Sequence, residues 1–167
     1  NIIHSYGKFP NLWIGLQRYS IIGTLLNLFK LHYNDNKIDY ITGADLFIRR
    51  NVIEKYGLFD PDFFMYYEES EMQFRYKKNG YLCTIYDIPK IIHLENYSMN
   101  ISHKSNSLRK NRIALISFYL YLKKCKGVFY YFLFRFIYMF ISPLLLIHPK
   151  YSFKDKISFI KTAYLYI

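Results

Sequence analysis

The chain has 167 residues, 52% hydrophobic and 21% aromatic, with 19 Tyr and 15 Phe; that length fits one domain, and so apolar a composition excludes a disordered, collagen-like or disulfide-scaffold protein. The 23 Lys and Arg exceed the 12 Asp and Glu by 11, yet residues 1–100 hold 11 of each sign while residues 101–167 hold 12 basic side chains and only Asp155. The basic part interleaves its charges with long aromatic stretches instead of the Gly, Ser and Asn of a groove-tracking arm, so nucleic acid is not expected as a partner.

From Trp13 to Leu31 the residues Ile22, Leu25, Leu26 and Phe29 recur at i, i+3, i+4 and i+7, the stripe of an amphipathic helix. Gln17, Arg18 and Lys30 make this stretch too polar to span a bilayer, leaving packing on the domain or contact with a membrane surface. After the polar connector Tyr33 to Asp39, Tyr40-Ile41-Thr42-Gly43-Ala44 and Leu46-Phe47-Ile48 predict a short strand region whose small residues admit close approach of a ligand or backbone. Asn51 predicts the N-cap of a short helix, Val52 to Tyr56, ended by Gly57. A turn at Phe59-Asp60-Pro61-Asp62 leads into a second helix that starts near an acidic cluster and runs to about Lys78, with Gly80 as its stop. Tyr81 to Tyr86 reads as a strand with Leu82, Thr84 and Tyr86 on one face and Cys83 and Ile85 on the other; Lys90-Ile91-Ile92-His93 reads as another after Pro89.

Past Ser98 the character changes. A polar stretch, Asn100 to Asn111, leads to an aromatic helical segment, Ile113 to Leu122, and to the basic run Lys123-Lys124-Cys125-Lys126. Val128 to Ile147 is apolar apart from Arg135 and Ser142-Pro143, and twenty helical residues cover roughly 30 Å, the thickness of a bilayer core. Against a span, Arg135 near its middle would cost about 2.5–3.5 kcal/mol and Pro143 would bend the last turn. A membrane-embedded or re-entrant segment and a buried soluble helix both fit. Ser152 to Ile167 sets Phe153, Ile157, Ile160 and Tyr164 at helical spacing beside Lys154, Lys156 and Lys161, as an interfacial helix does. Anionic lipid attracts such basic residues, so the membrane surface is the expected partner of this tail.

Cys83 and Cys125 lack a CxxC spacing and a neighbouring ligand cluster, which argues against a disulfide framework or zinc site and for a reducing compartment. The chain opens on Asn1 with no charged n-region, apolar h-region and cleavage site; the expectation is a piece of a longer protein.

Asp60, Asp62, Glu68, Glu69 and Glu71 place five of the 12 acidic residues within 12 positions. Helix capping accounts for one or two, since a carboxylate in the first turn gains roughly 0.3–1 kcal/mol from the macrodipole. Three in Glu68-Glu69-Ser70-Glu71 repel one another, which raises proton affinity and suits a general base or a site facing a cation.

The run Thr42-Gly43-Ala44-Asp45-Leu46-Phe47-Ile48-Arg49-Arg50, then Tyr56-Gly57-Leu58-Phe59-Asp60-Pro61-Asp62-Phe63-Phe64-Met65-Tyr66-Tyr67-Glu68-Glu69-Ser70-Glu71, Arg75, Lys78-Asn79-Gly80-Tyr81, and His93 with Ser98 resembles the second half of a family 2 glycosyltransferase, most like the bacterial rhamnosyltransferase-like enzymes that build polysaccharides. The match covers residues 40–98 in order and spacing. It implies an α/β GT-A fold, a mixed sandwich around one central sheet, with residues 1–100, the first 39 fitting more loosely, as the acceptor-side catalytic part; residues 101–167 match only in being basic and apolar and are expected, from that composition, to form a helical membrane-associated tail. It also implies transfer of a sugar from a nucleotide-diphosphate donor, with inversion, to a lipid-linked or cell-surface glycan at the cytoplasmic face of the membrane.

The resemblance further implies roles for individual residues. Inverting transfer needs a carboxylate to take the proton of the attacking hydroxyl. Glu69 matches the second acid of the family's Glu-Asp motif; the family usually has Asp there, one methylene shorter. Glu68 and Glu71 would position that base or shape the acceptor site, with Glu71 alternatively pairing with Arg75 at i+4. Gly43, Ala44 and Asp45 match the loop beside donor sugar and acceptor, Arg75 falls among the substrate-binding positions, and His93 corresponds to a histidine that in some members helps bind the Mg or Mn on the donor diphosphate. The family's Asp-x-Asp-like metal motif has no counterpart here, since Asp60-Pro61-Asp62 sits in the later Phe-Asp-x-x-Phe motif; the nucleotide-binding half is expected ahead of residue 1. The other reading is a non-catalytic membrane-associated module or partner subunit lacking donor binding.

Overall fold

The computed structural model describes residues 6–20, 23, 38–86, 105–148 and 151–165. The chain divides into two compact units, one made of Asn1–Phe9 with Asp35–Asn100, the other of Pro10–Asn34 with Ile101–Ile167. The described residues are mostly helical and carry one two-stranded sheet. The sandwich around a central mixed sheet is not among the described elements.

In the first unit β1 (Tyr6–Gly7) pairs antiparallel with β2 (Tyr40–Ile41), matching Tyr6 to Ile41 and Gly7 to Tyr40. Only Tyr40 and Ile41 of the expected strand region are in the ladder; Gly43–Asp45 instead form a 3-10 turn. Helix α2 (Arg50–Tyr56) starts before the expected Asn51 cap: the Arg49 carbonyl takes the Val52 and Ile53 amides, and Arg50 pairs with Glu54 at 2.8 Å. Gly57 ends α2 with φ +75, a conformation that disfavours any side chain. Helix α3 (Glu68–Lys78) begins at the acids and stops before Gly80, φ +87, as the sequence leads one to expect. Met72 and Tyr76 of α3 and Val52 of α2 make the core here, with Leu46, Ile48, Tyr56 and Tyr81 packed around it.

Residues 81–86 keep the alternation read from sequence, Leu82, Thr84 and Tyr86 exposed and Tyr81, Cys83 and Ile85 half-buried, but among the described residues no strand pairs with them. The second expected strand, at Lys90–His93, lies outside the described residues.

The second unit is helical: α1 (Leu12–Tyr19), α4 (Ser105–Tyr121), a π-helical turn (Leu122–Lys126), α5 (Val128–Ile141), a 3-10 segment (Ser142–Ile147) and α6 (Phe153–Leu165). The Asn11 side chain accepts the Ile14 amide at 2.9 Å and so caps α1. The stripe at Ile22, Leu25, Leu26 and Phe29 lies outside the described residues. The basic run takes the π conformation, and Pro143 sits in the first turn of the 3-10 segment, where its missing N–H costs nothing. Val128–Ile147 is long and apolar enough to cross a membrane by length and composition.

Aromatic rings fill the centre of this unit. Phe118 meets Phe134 edge-on at 4.9 Å, Phe134 stacks on Tyr138 at 5.3 Å, and the buried Tyr138 hydroxyl donates to the Tyr19 carbonyl at 2.5 Å. Arg112 ties α4 to α6 through Thr162 Oγ1 and Ser158 Oγ, both at 2.9 Å. Helix α1 reaches this centre through Gly15, where a Cβ would lie 2.4 Å from Phe118 ring carbons and 2.8 Å from Phe134. Such an atom needs two buried rings to move. Gly15→Ala gains about 1 kcal/mol of helix propensity and loses up to about 3 kcal/mol to overpacking. A net loss near 2 kcal/mol is expected in urea denaturation, and a variant as stable as the parent would contradict this packing.

Candidate functional site

Helix α3 organises the acidic site, and its 3.6-residue period sorts the three acids by face. Glu69, Gln73 and Lys77 recur at i, i+4 and i+8, and this is the face that holds β2. Gln73, almost wholly buried, treats Ile41 as a strand neighbour would: its Oε1 accepts the Ile41 amide at 2.9 Å and its Nε2 donates to the Ile41 carbonyl at 2.7 Å. The same Nε2 donates to the Glu69 carbonyl at 3.1 Å. One turn on, Lys77 bridges to Asp39 at 2.7 Å, and the other Asp39 oxygen accepts the Phe9 amide at 3.2 Å. Phe9 stacks on Tyr40 and meets Phe74 edge-on at 5.1 Å. The chain leaving β2 runs directly into Gly43-Ala44-Asp45, so Glu69 and that loop are tied to the same short strand.

In the loop, Gly43 and Ala44 are exposed and Asp45 is half-buried, with the Thr42 hydroxyl donating to Asp45 Oδ1 at 3.4 Å. A Cβ built on Gly43 meets nothing within 4 Å among the described residues, so none of them requires glycine there.

Glu68 falls on the face of Met72 and Tyr76, towards the core. Its Oε2 is buried and has no hydrogen-bond partner among the described residues. A buried carboxylate oxygen in that condition is costly unless something outside the fold satisfies it.

Glu71 is buried and engaged. Arg75 donates from Nε to Glu71 Oε1 and from Nη2 to Oε2, each at 3.0 Å, a bidentate pair that pushes the Arg75 pKa above its ordinary value. The same guanidinium caps the C-terminus of α2, donating to the carbonyls of Tyr56, Gly57 at 3.4 Å and Leu58 at 2.7 Å. The Tyr76 hydroxyl also donates to the Gly57 carbonyl at 2.6 Å, and burial raises its pKa. Of the two roles open to Glu71, the pairing with Arg75 is the one formed, and Arg75 spends its donors on the fold. Asp60 makes a turn, with Oδ1 accepting the Asp62 amide at 3.0 Å and its carbonyl the Phe63 amide at 3.1 Å.

Two features were missed in the sequence. Tyr66 and Tyr67, just ahead of the acids, both have left-handed backbone, φ +70 and +67. Each such non-glycine residue stores about 1–3 kcal/mol, and strain of this kind concentrates at functional sites. Nothing in an aromatic pair announces it. Gln73 did carry a signal: a polar residue amid the core-facing positions Met72 and Tyr76 must hold something.

His93 lies outside the described residues, and among those described no three His, Cys, Asp or Glu side chains are grouped to hold a metal ion. The described residues by themselves therefore do not make a site for the divalent cation that the resemblance implies. Cys83 donates to Gln73 Oε1 at 3.1 Å, and burial raises its pKa, so it stays a thiol and is no activated nucleophile.

Comparison of the chain with family models, curated proteins and solved structures returns no match.

Proposed function

We propose that the chain is the acceptor-side part of an inverting, family 2-like glycosyltransferase that moves a sugar from a nucleotide-diphosphate donor to a lipid-linked or cell-surface glycan at the cytoplasmic face of the membrane. The observation that carries this reading is the sorting of acids on α3. Glu71 is neutralised by Arg75, whereas Glu69 shares with Gln73 the face that holds β2, the strand that leads into the Gly43 loop. Glu69 takes the proton from the acceptor hydroxyl as that oxygen bonds to the anomeric carbon; the bond from that carbon to the nucleotide diphosphate breaks with its electron pair, and configuration inverts. Asp45 and Glu68 border the acceptor, and Gln73 holds the loop to the helix that carries the base.

The test is turnover: membranes carrying the protein, given UDP-, GDP- and dTDP-sugars with Mn²⁺, should release nucleoside diphosphate only when a glycan or lipid-linked acceptor is present. Silence with every donor and acceptor would overturn the proposal. Because no described residue crowds Gly43, Gly43→Leu should leave stability within about 0.5 kcal/mol while raising the acceptor KM about tenfold or more, as expected when a side chain fills a ligand's approach. An unchanged KM would remove this loop from the acceptor site.

A further inference from the structure

Helix α5 and the 3-10 segment after it carry two apolar stripes on opposite sides. The inner stripe, Tyr131, Phe134, Tyr138, Ser142 and Leu145, is buried. The outer stripe, Phe129, Phe132, Phe136, Phe140 and Ile147, is 74%, 60%, 61%, 66% and 74% exposed. A helix apolar on every side belongs in a core or in lipid, and the core accounts for only one side of this one.

What covers the inner stripe decides the geometry. Helix α4 brings Arg112, bonded to α6, and α6 brings Lys154, Asp155, Lys156 and Lys161. Lys156 is buried and donates to the Leu146 carbonyl at 2.9 Å, closing the end of the 3-10 segment. Arg135, the one charge within the apolar stretch, is turned to the same side: it donates to Tyr131 Oη at 2.8 Å and to the Tyr164 carbonyl at 2.9 Å and lies over the Tyr119 and Tyr131 rings. A segment crossing the bilayer would drag these helices and their charges into the hydrocarbon, where each is strongly penalised.

We infer that Val128–Ile147 does not span but lies in the plane of an anionic membrane, with the outer aromatic stripe sunk into one leaflet and α4 and α6 on the water side. Charge names the occupant. Residues 101–167 hold 12 basic side chains against Asp155 alone, and Lys123, Lys124, Lys154 and Lys161 are exposed. Such a surface is complementary to acidic headgroups and repels a second copy of itself. This inference deepens the membrane part of the proposed function and rests on it, but is independent of the transferase chemistry.

The test uses the whole protein with Trp13→Phe and a single new tryptophan at Phe129, Phe136 or Phe140, all exposed positions whose change leaves the core intact, with circular dichroism to verify folding. Each variant is mixed with phosphatidylcholine vesicles with or without phosphatidylglycerol, and its fluorescence is quenched by lipids brominated at shallow or deep acyl positions. Expected are binding about tenfold or more tighter to the anionic vesicles, weakened by salt, and one shared shallow depth for all three positions, although they spread over about 16 Å of helix. Depths graded along the helix would overturn the in-plane arrangement and leave membrane association standing. Absence of binding to either vesicle would overturn both.

Discussion

Glu69→Gln should reduce sugar transfer by about 10²–10⁴-fold, the usual contribution of a positioned general base, with the fold unchanged. The substitution keeps size and shape, and it leaves in place the Glu69 carbonyl, which accepts Gln73 Nε2. Helix α3 and β2 should therefore persist, and kcat and kcat/KM should fall together because only the transition state loses its proton acceptor. Glu68→Gln provides the contrast. Its Oε2 lies on the core side of the helix without a described partner, so an amide there should alter acceptor binding more than the chemical step. Turnover by Glu69→Gln within a few-fold of the parent, with the protein folded, would sink the assignment of the base and move attention to Glu68.

The elements that could be read from the sequence are those defined locally. Helix α3 was bounded at both ends because the acids mark its first turn and Gly80 its last, and Gly57 marked the end of α2. The aromatic stretch from Val128 was recognisable as helix from its length and composition, and Pro143 marked where its α geometry gives way. What was not legible depends on partners distant in the chain. Gln73 holds Ile41, 32 residues away, and no local pattern reveals which backbone groups a buried amide will take. Residues 10–34 group with the second unit although they stand in the first half of the chain, because Gly15 and Tyr19 pack on rings more than 100 positions later. Arg135 looked like a cost to any apolar environment until Tyr131, Tyr119 and the Tyr164 carbonyl were placed around it.

A local partner separates the roles of Glu69 and Glu71, two positions apart: the i+4 pairing of Glu71 with Arg75 that the sequence offers is the one formed. Repulsion among three carboxylates in one helical turn is relieved when one is neutralised, and Arg75 does this for Glu71 with two parallel hydrogen bonds. Glu71 thereby joins the machinery that ends α2.

Arg75→Met should accordingly be the most destabilising single change in the first unit. It removes the partner of a buried carboxylate and, at the same time, the donors to the Tyr56, Gly57 and Leu58 carbonyls. Breaking a buried pair from one side costs about 3–5 kcal/mol; the Arg75 side chain is 29% exposed and Glu71 10%, so a loss of about 3 kcal/mol is expected. Glu71→Gln should cost less, about 1–2 kcal/mol, since an amide oxygen still accepts one of the guanidinium hydrogen bonds. Arg75→Lys should recover little, because a single ammonium cannot reproduce a planar fork that faces a carboxylate and three carbonyls together. The readout is amide exchange in α2, whose last turn opens when its cap is lost, combined with turnover normalised to the folded fraction. A structural clip predicts faster exchange with the acceptor KM of the remaining folded protein unchanged. An intact α2 with a raised KM would instead return Arg75 to the substrate site.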